Sequence, residues 1–227
     1  MLLVIENLLA ADAVDALVAD LGAAAWKDGA ATAGTRSVAV KQNEQLSLSD
    51  SQARELGNRI LAALGRNPLF VSATLAEKIF PPVFNRYQGG GHYGLHVDSA
   101  LMRVPGADIT LRSDISATLF LSDPASYDGG ELVIEGEYGA QEVKLGPGEL
   151  VLYPSNSLHR VAPVTRGSRL AAVTWIQSAV ADGAARAMLF DLDQAIQALS
   201  PGRAKDDPDI ERLIHVYHNL LRRWASV

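Results

Sequence analysis

A chain of 227 residues, 48% of them hydrophobic, is long enough for a sizeable core in one large domain or in a domain with an appendage. It contains no cysteine, which excludes disulfides and thiolate or iron–sulfur ligation. Its net charge of −6 argues against general binding of nucleic acid, which requires a basic surface.

The chain begins with a short apolar run at residues 1–5, which Glu6 interrupts. This run is too short to span a membrane and lacks the basic start of a signal peptide. We therefore predict a cytoplasmic protein with no membrane partner.

Helical and extended patterns alternate in the first third of the chain. We predict a strand over 2–5, a helix over 10–21, a polar strand over 32–40, and a helix that follows an N-cap at Ser49-Asp50 and stops at 65–68. The apolar stripe of the second helix consists of Leu56, Ile60, Leu61 and Leu64. We expect both helices to buttress one face of a sheet.

Short strands separated by Gly, Pro, Asp and Ser turns fill residues 78–176. Eight such strands would form a double-stranded β-helix, or jelly roll, whose interior holds a small site. Two helices then follow over 183–199 and 208–224. The predicted fold is mainly β with flanking helices (α+β): a domain over 1–178, with a helical buttress (1–77) and a jelly-roll core (78–178), and a helical appendage over 179–227 that could form a homodimer contact.

A His-x-Asp pair, His96 and Asp98, follows the glycine-rich segment 89–91, and a second histidine, His159, follows a strand and a turn. Side chains at i and i+2 of a strand share one face, so His96 and Asp98 could chelate one ion while Val97 turns into the opposite layer. Two imidazoles and one carboxylate are the facial triad of non-haem iron(II) oxygenases. We predict a metal site here.

Ten residues after His159, Arg169 could hold the far carboxylate of a 2-oxoacid, because a guanidinium meets a carboxylate with two parallel hydrogen bonds. If residues 159–176 form a hairpin, His159 and Arg169 lie on neighbouring strands about 5 Å apart. Arg169, Ala171, Val173 and Trp175 would then share one face, with Trp175 closing the far wall of the site.

These motifs resemble the bacterial PKHD-type hydroxylases, in the prolyl 4-hydroxylase-like branch of the iron(II)/2-oxoglutarate dioxygenases. The resemblance extends over nearly the whole chain and is close in residues 86–98, 116–123, 127–132 and 152–159. It implies a jelly-roll fold, with His96, Asp98 and His159 as iron ligands and Arg169 as the anchor of 2-oxoglutarate.

The resemblance also implies a hydroxylase that uses iron(II), 2-oxoglutarate and dioxygen, with ascorbate as a further reductant. Similar enzymes use a tyrosine near the metal strand, so Tyr87 and Tyr93 are candidates to place hydroxyl groups on 2-oxoglutarate or substrate. We predict no catalytic side chain beyond the iron centre. The substrate would be a peptide, an amino acid or another small molecule, and nothing in these residues recognises proline.

Other candidates are weaker. Lys41 and Asn43 could line the entrance of the site, Arg112 and Asp114 could belong to a lid, and His92 could support the metal ligands. Residues 128–131 are most simply a hairpin turn. On the last helix, His215 and His218 have no third ligand nearby, which favours packing over metal binding.

Two alternative functions remain open from the sequence. An oxidative nucleic-acid dealkylase would use the same cofactors, although the net charge and the lack of a basic, aromatic stripe argue against it. A cupin-like metal-binding protein without oxygenase activity would share the fold, but it would not require Arg169.

Overall fold

The computed structural model describes residues 1–32 and 40–226 of the protein. Its α-helices within these ranges are α1 (Ala11–Gly22), α2 (Ser51–Arg66), α3 (Pro68–Thr74), α4 (Gly183–Leu199) and α5 (Pro208–Trp224). The four helices predicted from the sequence are confirmed within one residue. The predicted strand over 32–40 falls largely on residues 33–39, which lie outside the described residues.

Helix α2 begins as its N-cap motif predicts, because the Asp50 carboxylate accepts hydrogen bonds from the backbone N–H groups of Gln52 and Ala53. The helix ends at Arg66, but the chain does not become a loop there. Asn67 caps the next N-terminus, and Pro68 occupies the first turn of α3, where its missing N–H costs nothing. We expected residues 65–68 only to end α2, but the short helix α3 begins within them.

The larger sheet has eight strands and carries helices α1, α2 and α3 on its outer face. Its strands run in the order β1, β14, β10, β17, β6, β4, β2, and β5 pairs with β17 outside this path. Their bounds are β1 (Leu3–Ile5), β2 (Lys27–Asp28), β4 (Glu44–Gln45), β5 (Ala76–Ile79), β6 (Val83–Gln88), β10 (Ile115–Phe120), β14 (Leu150–Pro154) and β17 (Ser168–Ser178).

The smaller sheet faces the inner side of the larger one. It consists of five antiparallel strands in the order β13, β12, β15, β7, β3, with bounds β3 (Lys41–Gln42), β7 (His92–His96), β12 (Leu132–Gly136), β13 (Gly139–Val143) and β15 (His159–Val161). Two separate pairs complete the described strands: β8 (Leu101–Arg103) with β9 (Thr110–Arg112), and β11 (Asp128–Gly129) with β16 (Val164–Arg166).

The core lies in two layers, one on each side of the larger sheet. On its outer side, Leu17 and Leu21 of α1 and Ile60 of α2 pack in one cluster with Leu152 and Ala172 of the sheet. Between the sheets lies a second cluster, which includes Tyr87, Phe120, Tyr127, Leu132, Ile134 and Tyr153. The helices therefore buttress the larger sheet, as predicted, and the space between the sheets is lined by aromatic side chains.

Helices α4 and α5 pack against each other through a small cluster of their own. Val180, Ala185 and Leu189 form its buried part, and Tyr217, Leu221 and Trp224 of α5 contact it. Within the described residues, no helix combines the length and the apolar character that a membrane crossing requires.

The predicted hairpin between His159 and Arg169 is wrong. His159 lies in β15 of the smaller sheet, whereas Arg169 lies in β17 of the larger sheet. The intervening strand β16 pairs with β11, so the chain crosses from one sheet to the other instead of folding back on itself. The two side chains therefore approach the site from opposite layers.

Candidate metal centre and cosubstrate pocket

The three predicted ligands converge at one end of the space between the sheets. The Nε2 atom of His96 lies 3.9 Å from Asp98 Oδ1, and the Nε2 atom of His159 lies 3.8 Å from Asp98 Oδ2. One ligand atom from each residue falls within 4.8 Å of the others. Among the described residues this is the single group of three or more His, Cys, Asp and Glu side chains so arranged. One ion could contact all three.

Both imidazoles are held in the tautomer that a metal requires. The Nδ1 atom of His96 lies 2.8 Å from the Gly94 carbonyl oxygen, and that of His159 lies 3.0 Å from the Ser157 carbonyl oxygen. Because a carbonyl can only accept, each Nδ1 carries the proton and each Nε2 keeps its lone pair. Burial, with a further contribution from neighbouring His159, lowers the pKa of His96 to about 4. The ring is therefore neutral, and able to bind a cation, at physiological pH.

Asp98 lies just beyond the strand that carries His96, since β7 ends at His96. Its carboxylate turns inward, where Oδ2 accepts a 2.6 Å hydrogen bond from the Ser116 hydroxyl of β10. The strand pattern predicted that Val97 enters the opposite layer, and this prediction is wrong. Val97 is 52% exposed, because the chain leaves the sheet at this point and its outer side faces solvent.

A β-bulge in β7 brings Tyr93 onto the face that carries His96. His96 pairs with His159 and Tyr93 with Val161, so three residue steps in β7 oppose two in β15. The Tyr93 ring consequently stacks on the His96 ring, with centroids 3.5 Å apart and planes 15° apart. The structure thus places Tyr93 against the imidazole of a candidate metal ligand, where it restrains the ring's orientation.

Arg169 occupies the other end of the same space and is only 1% exposed. Its guanidinium lies 5.4 Å from the ring centroid of Tyr87 and 5.0 Å from that of Phe120. Its Nε and Nη2 atoms have no hydrogen-bond partner. A buried cation with two unused donors is costly unless an anion completes the site. By contrast, Arg86, Arg112 and Arg166 are each paired with a carboxylate.

Tyr127 is a site residue that the sequence analysis missed. Its hydroxyl is buried without a hydrogen-bond partner, in the same layer as Arg169. Burial raises its pKa, and the charge of Arg169 partly offsets that rise. The hydroxyl group therefore keeps its proton and can donate. Two signals in the sequence pointed to it: residues 127–132 carry the family resemblance, and Tyr127 lies just before a glycine pair that we interpreted as a turn.

That glycine pair has a structural role beside the pocket. Gly130 has a φ of +71°, and a Cβ at this position would lie 2.9 Å from Arg169 Cδ and 3.0 Å from Tyr127 Cε2. A side chain here would press on both residues, and the left-handed backbone would be strained in any case. Gly130 therefore allows Arg169 and Tyr127 to lie side by side.

Tyr87 and Trp175 also line the inner face of the larger sheet. Burial raises the pKa of Tyr87 to about 12, so its hydroxyl stays protonated. Trp175 is paired across the strands with Ser116, the residue that hydrogen-bonds Asp98, and its ring packs edge-on against Phe80 with centroids 5.5 Å apart. Its Nε1 atom is buried without a partner. The inner face of the larger sheet thus carries Arg169 and Trp175 of β17, as predicted, and Tyr87 of β6.

The weaker candidates occupy different places. The Lys41 ammonium lies 5.3 Å from the ring centroid of Tyr93, and burial lowers its pKa to about 8. Asn43 donates a 2.8 Å hydrogen bond to Asn85 Oδ1 and is part of a buried amide cluster rather than an entrance. The Nδ1 atom of His92 lies 3.0 Å from the Gly90 carbonyl oxygen, on the loop that leads into β7.

Arg112 and Asp114, the candidates for a lid, are joined to each other and to β17. Two hydrogen bonds of 2.6 and 2.9 Å join their side chains, and Asp114 also accepts from the Ser178 backbone N–H. They attach the start of β10 to the end of β17. On α5, His215 hydrogen-bonds Asn219 and belongs to no metal-binding group in the described part of the chain.

Two family descriptions match this chain. Residues 82–177 match the 2OG-Fe(II) oxygenase superfamily, and residues 183–226 match the PKHD-type hydroxylase C-terminal domain. A PKHD-type hydroxylase of Acidovorax ebreus is 56% identical over 99% of both chains. Another from Teredinibacter turnerae is 60% identical over the full length of both.

Solved structures share the fold at lower identity. A Pseudomonas putida prolyl-4-hydroxylase covers 78% of this chain, and 92% of its own, with 23% identity and a TM-score of 0.51. A Trichoplax adhaerens prolyl hydroxylase, solved with a hypoxia-inducible-factor peptide fragment, covers 78% of this chain and 83% of its own, with 14% identity and a TM-score of 0.56. These likenesses confirm the double-stranded β-helix core, whose two sheets here remain open at their edges.

The residues present fit an iron(II) ion and 2-oxoglutarate. Two neutral imidazoles and a carboxylate on one side of an ion form a donor set suited to iron(II), with positions left open. At the other end, the unpartnered Nε and Nη2 of Arg169 and the unpartnered Tyr127 hydroxyl suit the far carboxylate of a dicarboxylic acid.

Proposed function

This chain belongs to the PKHD-type hydroxylase family of iron(II)- and 2-oxoglutarate-dependent dioxygenases, and we propose that it hydroxylates an unactivated C–H bond of a peptidyl, amino-acid or small-molecule substrate. The observation that supports this proposal is the convergence of His96, Asp98 and His159 in one group, together with a buried Arg169 whose Nε and Nη2 atoms have no hydrogen-bond partner. Iron(II), 2-oxoglutarate and dioxygen are the cofactor and cosubstrates of the family.

In the proposed site His96, Asp98 and His159 hold the metal from the side of the smaller sheet. The two rings are neutral, and the single carboxylate balances only one of the two positive charges of a divalent ion. The remaining positive charge attracts an anionic cosubstrate. When bound, iron(II) supplies the oxidative chemistry that couples decarboxylation of 2-oxoglutarate to succinate with transfer of an oxygen atom to substrate.

Arg169 and Tyr127 are proposed to orient 2-oxoglutarate from the opposite sheet. Two guanidinium N–H groups and one phenol O–H would donate to its far carboxylate, and Tyr87 would supply a further protonated hydroxyl nearby. Because these groups are buried, binding of the dicarboxylate would satisfy donors that are otherwise costly. The aromatic walls, including Trp175, would exclude water from the space between the sheets.

A peptide or small molecule is the substrate class that the sequence and the relatives favour. The Trichoplax adhaerens relative in fold was solved with a peptide fragment, and the net charge of −6 offers no general grip on nucleic acid. Parallel assays on proline-containing peptides, free amino acids and alkylated oligonucleotides would test this choice. Stimulation by the oligonucleotides alone would favour the dealkylase.

A homodimer through the C-terminal helices is part of the same proposal. Met188, Leu199 and Val216 expose 56%, 45% and 46% of their surface on α4 and α5, which supports an apolar contact there. Light scattering on the wild-type chain and on Met188→Glu would test it. A monomer at all concentrations would contradict it. The use of ascorbate as a reductant also stays a prediction.

Succinate release tests the proposed reaction. Protein loaded with iron(II) without oxygen, then given 2-oxoglutarate and dioxygen, should form succinate slowly even without substrate. The Asp98→Ala variant should form none, because it lacks the anionic ligand. If the metal is bound but 2-oxoglutarate neither binds nor is consumed, the protein would instead be a metal-binding cupin.

A further inference from the structure

Two buried serine hydroxyls connect Asp98 to the larger sheet. Ser116 Oγ lies 2.6 Å from Asp98 Oδ2 and 2.8 Å from Ser155 Oγ. Ser116 is 0% and Ser155 2% exposed, so water does not compete for these hydrogen bonds. Nothing in the ligand spacing or in the 2-oxoglutarate pocket requires these hydroxyls.

The direction of the hydrogen bonds follows from proton counting. The Asp98 carboxylate can only accept, so Ser116 donates its single hydroxyl proton to Oδ2. Ser116 has no second hydroxyl proton, so Ser155 donates to Ser116 Oγ. The result is a directed chain from Ser155 through Ser116 to one oxygen of the carboxylate, and each hydrogen bond polarises the next.

The same chain joins the two layers of the fold. The three metal-ligand candidates belong to the smaller sheet or to the segment that follows β7, whereas Ser116 lies in β10 of the larger sheet. Ser155 follows β14, which pairs with β10, and its backbone N–H donates to the Asp114 carbonyl oxygen at 3.2 Å. The carboxylate is therefore held against a rigid central part of the larger sheet.

We propose that Ser116 and Ser155 are positioning residues that hold Asp98 through Oδ2, which itself lies 3.8 Å from His159 Nε2, and so direct Oδ1 to the metal as the single carboxylate ligand atom. A carboxylate that binds through one oxygen leaves three positions free on a six-coordinate ion, enough for a bidentate 2-oxoacid and one further molecule. A carboxylate that binds through both oxygens would occupy one of those positions. This inference rests on the proposed function, because it takes Asp98 as a metal ligand.

Titration with Co(II) in the absence of 2-oxoglutarate and oxygen tests the inference directly. In Ser116→Ala we expect the dissociation constant for Co(II) to rise by about 10- to 100-fold, as is typical when a hydrogen-bond partner of a metal ligand is removed. We also expect the visible absorption bands of bound Co(II) to differ in position and intensity from those of wild type, because the coordination number changes. Subsequent 2-oxoglutarate binding should be weaker.

Two further variants separate positioning from simple loss of packing. Ser116→Thr keeps the hydroxyl group and should restore the wild-type Co(II) spectrum. Thr174→Val removes a buried hydroxyl of β17 that donates to the Phe80 carbonyl oxygen and does not contact Asp98. It should lower the free energy of unfolding while leaving Co(II) affinity and spectrum unchanged. Ser155→Ala should perturb the spectrum in the same direction as Ser116→Ala, to a smaller extent.

The outcomes distinguish this inference from the proposed function. If Asp98→Ala loses Co(II) while Ser116→Ala and Ser155→Ala keep wild-type affinity and spectrum, the positioning role is wrong and the metal site stands. If Asp98→Ala itself binds Co(II) as tightly as wild type, the ligand assignment is wrong and the positioning role falls with it. If Ser116→Ala does not fold, a wild-type spectrum in Ser155→Ala would still overturn the chain of hydrogen bonds.

Discussion

His96 and His159 form a register pair between two antiparallel strands, with ring centroids 4.2 Å apart, and each Nδ1 is hydrogen-bonded to the carbonyl two residues earlier in its own chain segment. The same local geometry thus occurs twice, once on each strand. It leaves two Nε2 lone pairs on one side of the smaller sheet, next to the Asp98 carboxylate. Strand pairing therefore sets the spacing of the metal ligands before any ion binds.

The stability of the metal-free protein should depend on His96 at mildly acid pH. Burial lowers its pKa from the ordinary value of 6.5 to about 4, so between these values the unfolded chain binds a proton that the folded protein excludes. Stability is then fully present above the unfolded pKa and is lost as pH falls towards about 4.

Urea unfolding at pH 7 and pH 5 measures this effect. Wild type should lose more unfolding free energy between the two values than His96→Gln does. The exposed histidine variant His215→Gln serves as the control and should follow wild type. Equal losses in wild type and His96→Gln would show that this imidazole does not resist protonation.

Arg169 should control the 2-oxoglutarate requirement. Removing a buried bidentate partner of a carboxylate costs about 1.5 to 3 kcal/mol, so Arg169→Ala should raise the dissociation constant of 2-oxoglutarate by about 12- to 160-fold. Arg169→Lys should recover only part of this, because an ammonium lacks the planar fork. Calorimetric titration of the metal-loaded variants gives the values.

A suitable control for Arg169 is Arg166→Ala, which removes an exposed guanidinium paired with Asp128. It should bind 2-oxoglutarate as wild type does. A wild-type requirement in Arg169→Ala would mean that the cosubstrate is anchored elsewhere.

Tyr127→Phe should separate binding from stability. The variant removes a buried hydroxyl that has no partner, so the unfolding free energy of the protein without cosubstrate should stay equal or rise. Binding of 2-oxoglutarate should nevertheless weaken by roughly 2- to 12-fold, the equivalent of about 0.5 to 1.5 kcal/mol for one hydrogen bond. Tyr138→Phe, at a side chain that is 97% exposed, should change neither quantity. Unaltered cosubstrate affinity in Tyr127→Phe would remove this residue from the pocket.

Gly130→Ala should damage the pocket and the fold together. A left-handed backbone costs a non-glycine residue about 1 to 2 kcal/mol, and contacts with Arg169 and Val164 at 2.9 Å add an overpacking cost of about 1 to 3 kcal/mol. Gly106→Ala has a similar φ of +77° but no atom within 4 Å, so it should show the backbone cost alone. Thermal denaturation compares the two. Equal destabilisation would show that the space beside Arg169 is not restricted.

Local spacing made much of the site predictable. The i, i+2 relation of His96 and Asp98, the later His159 and the guanidinium of Arg169 carry their chemistry in residue type and order. Capping and apolar periodicity likewise predicted α2, and a change in composition after Ser178 indicated α4 and α5. These features depend on contacts within a few residues, which the sequence displays directly.

The remaining features depend on contacts between distant segments. Tyr127 becomes a pocket residue only because Gly130 lets it lie beside Arg169, 42 positions later. The bulge in β7 that stacks Tyr93 on His96 has no local signal beyond Gly94. The crossing between sheets after His159 depends on β16 pairing with β11, which no hydrophobic pattern specified. Strand register and strand pairing depend on tertiary contacts, and these contacts determine where Tyr127 and Tyr93 lie and how the chain crosses between the sheets.

In the proposed function, one site for iron(II) and 2-oxoglutarate is formed by His96, Asp98, His159 and Arg169. Anaerobic calorimetry of 2-oxoglutarate binding to iron(II)-loaded protein, to metal-free protein and to the Asp98→Ala and Arg169→Ala variants tests it most directly. We predict one molecule bound per chain, with binding that requires the metal and is strongly weakened in both variants. Binding that is independent of the metal, or that is unchanged in Arg169→Ala, would contradict the proposal.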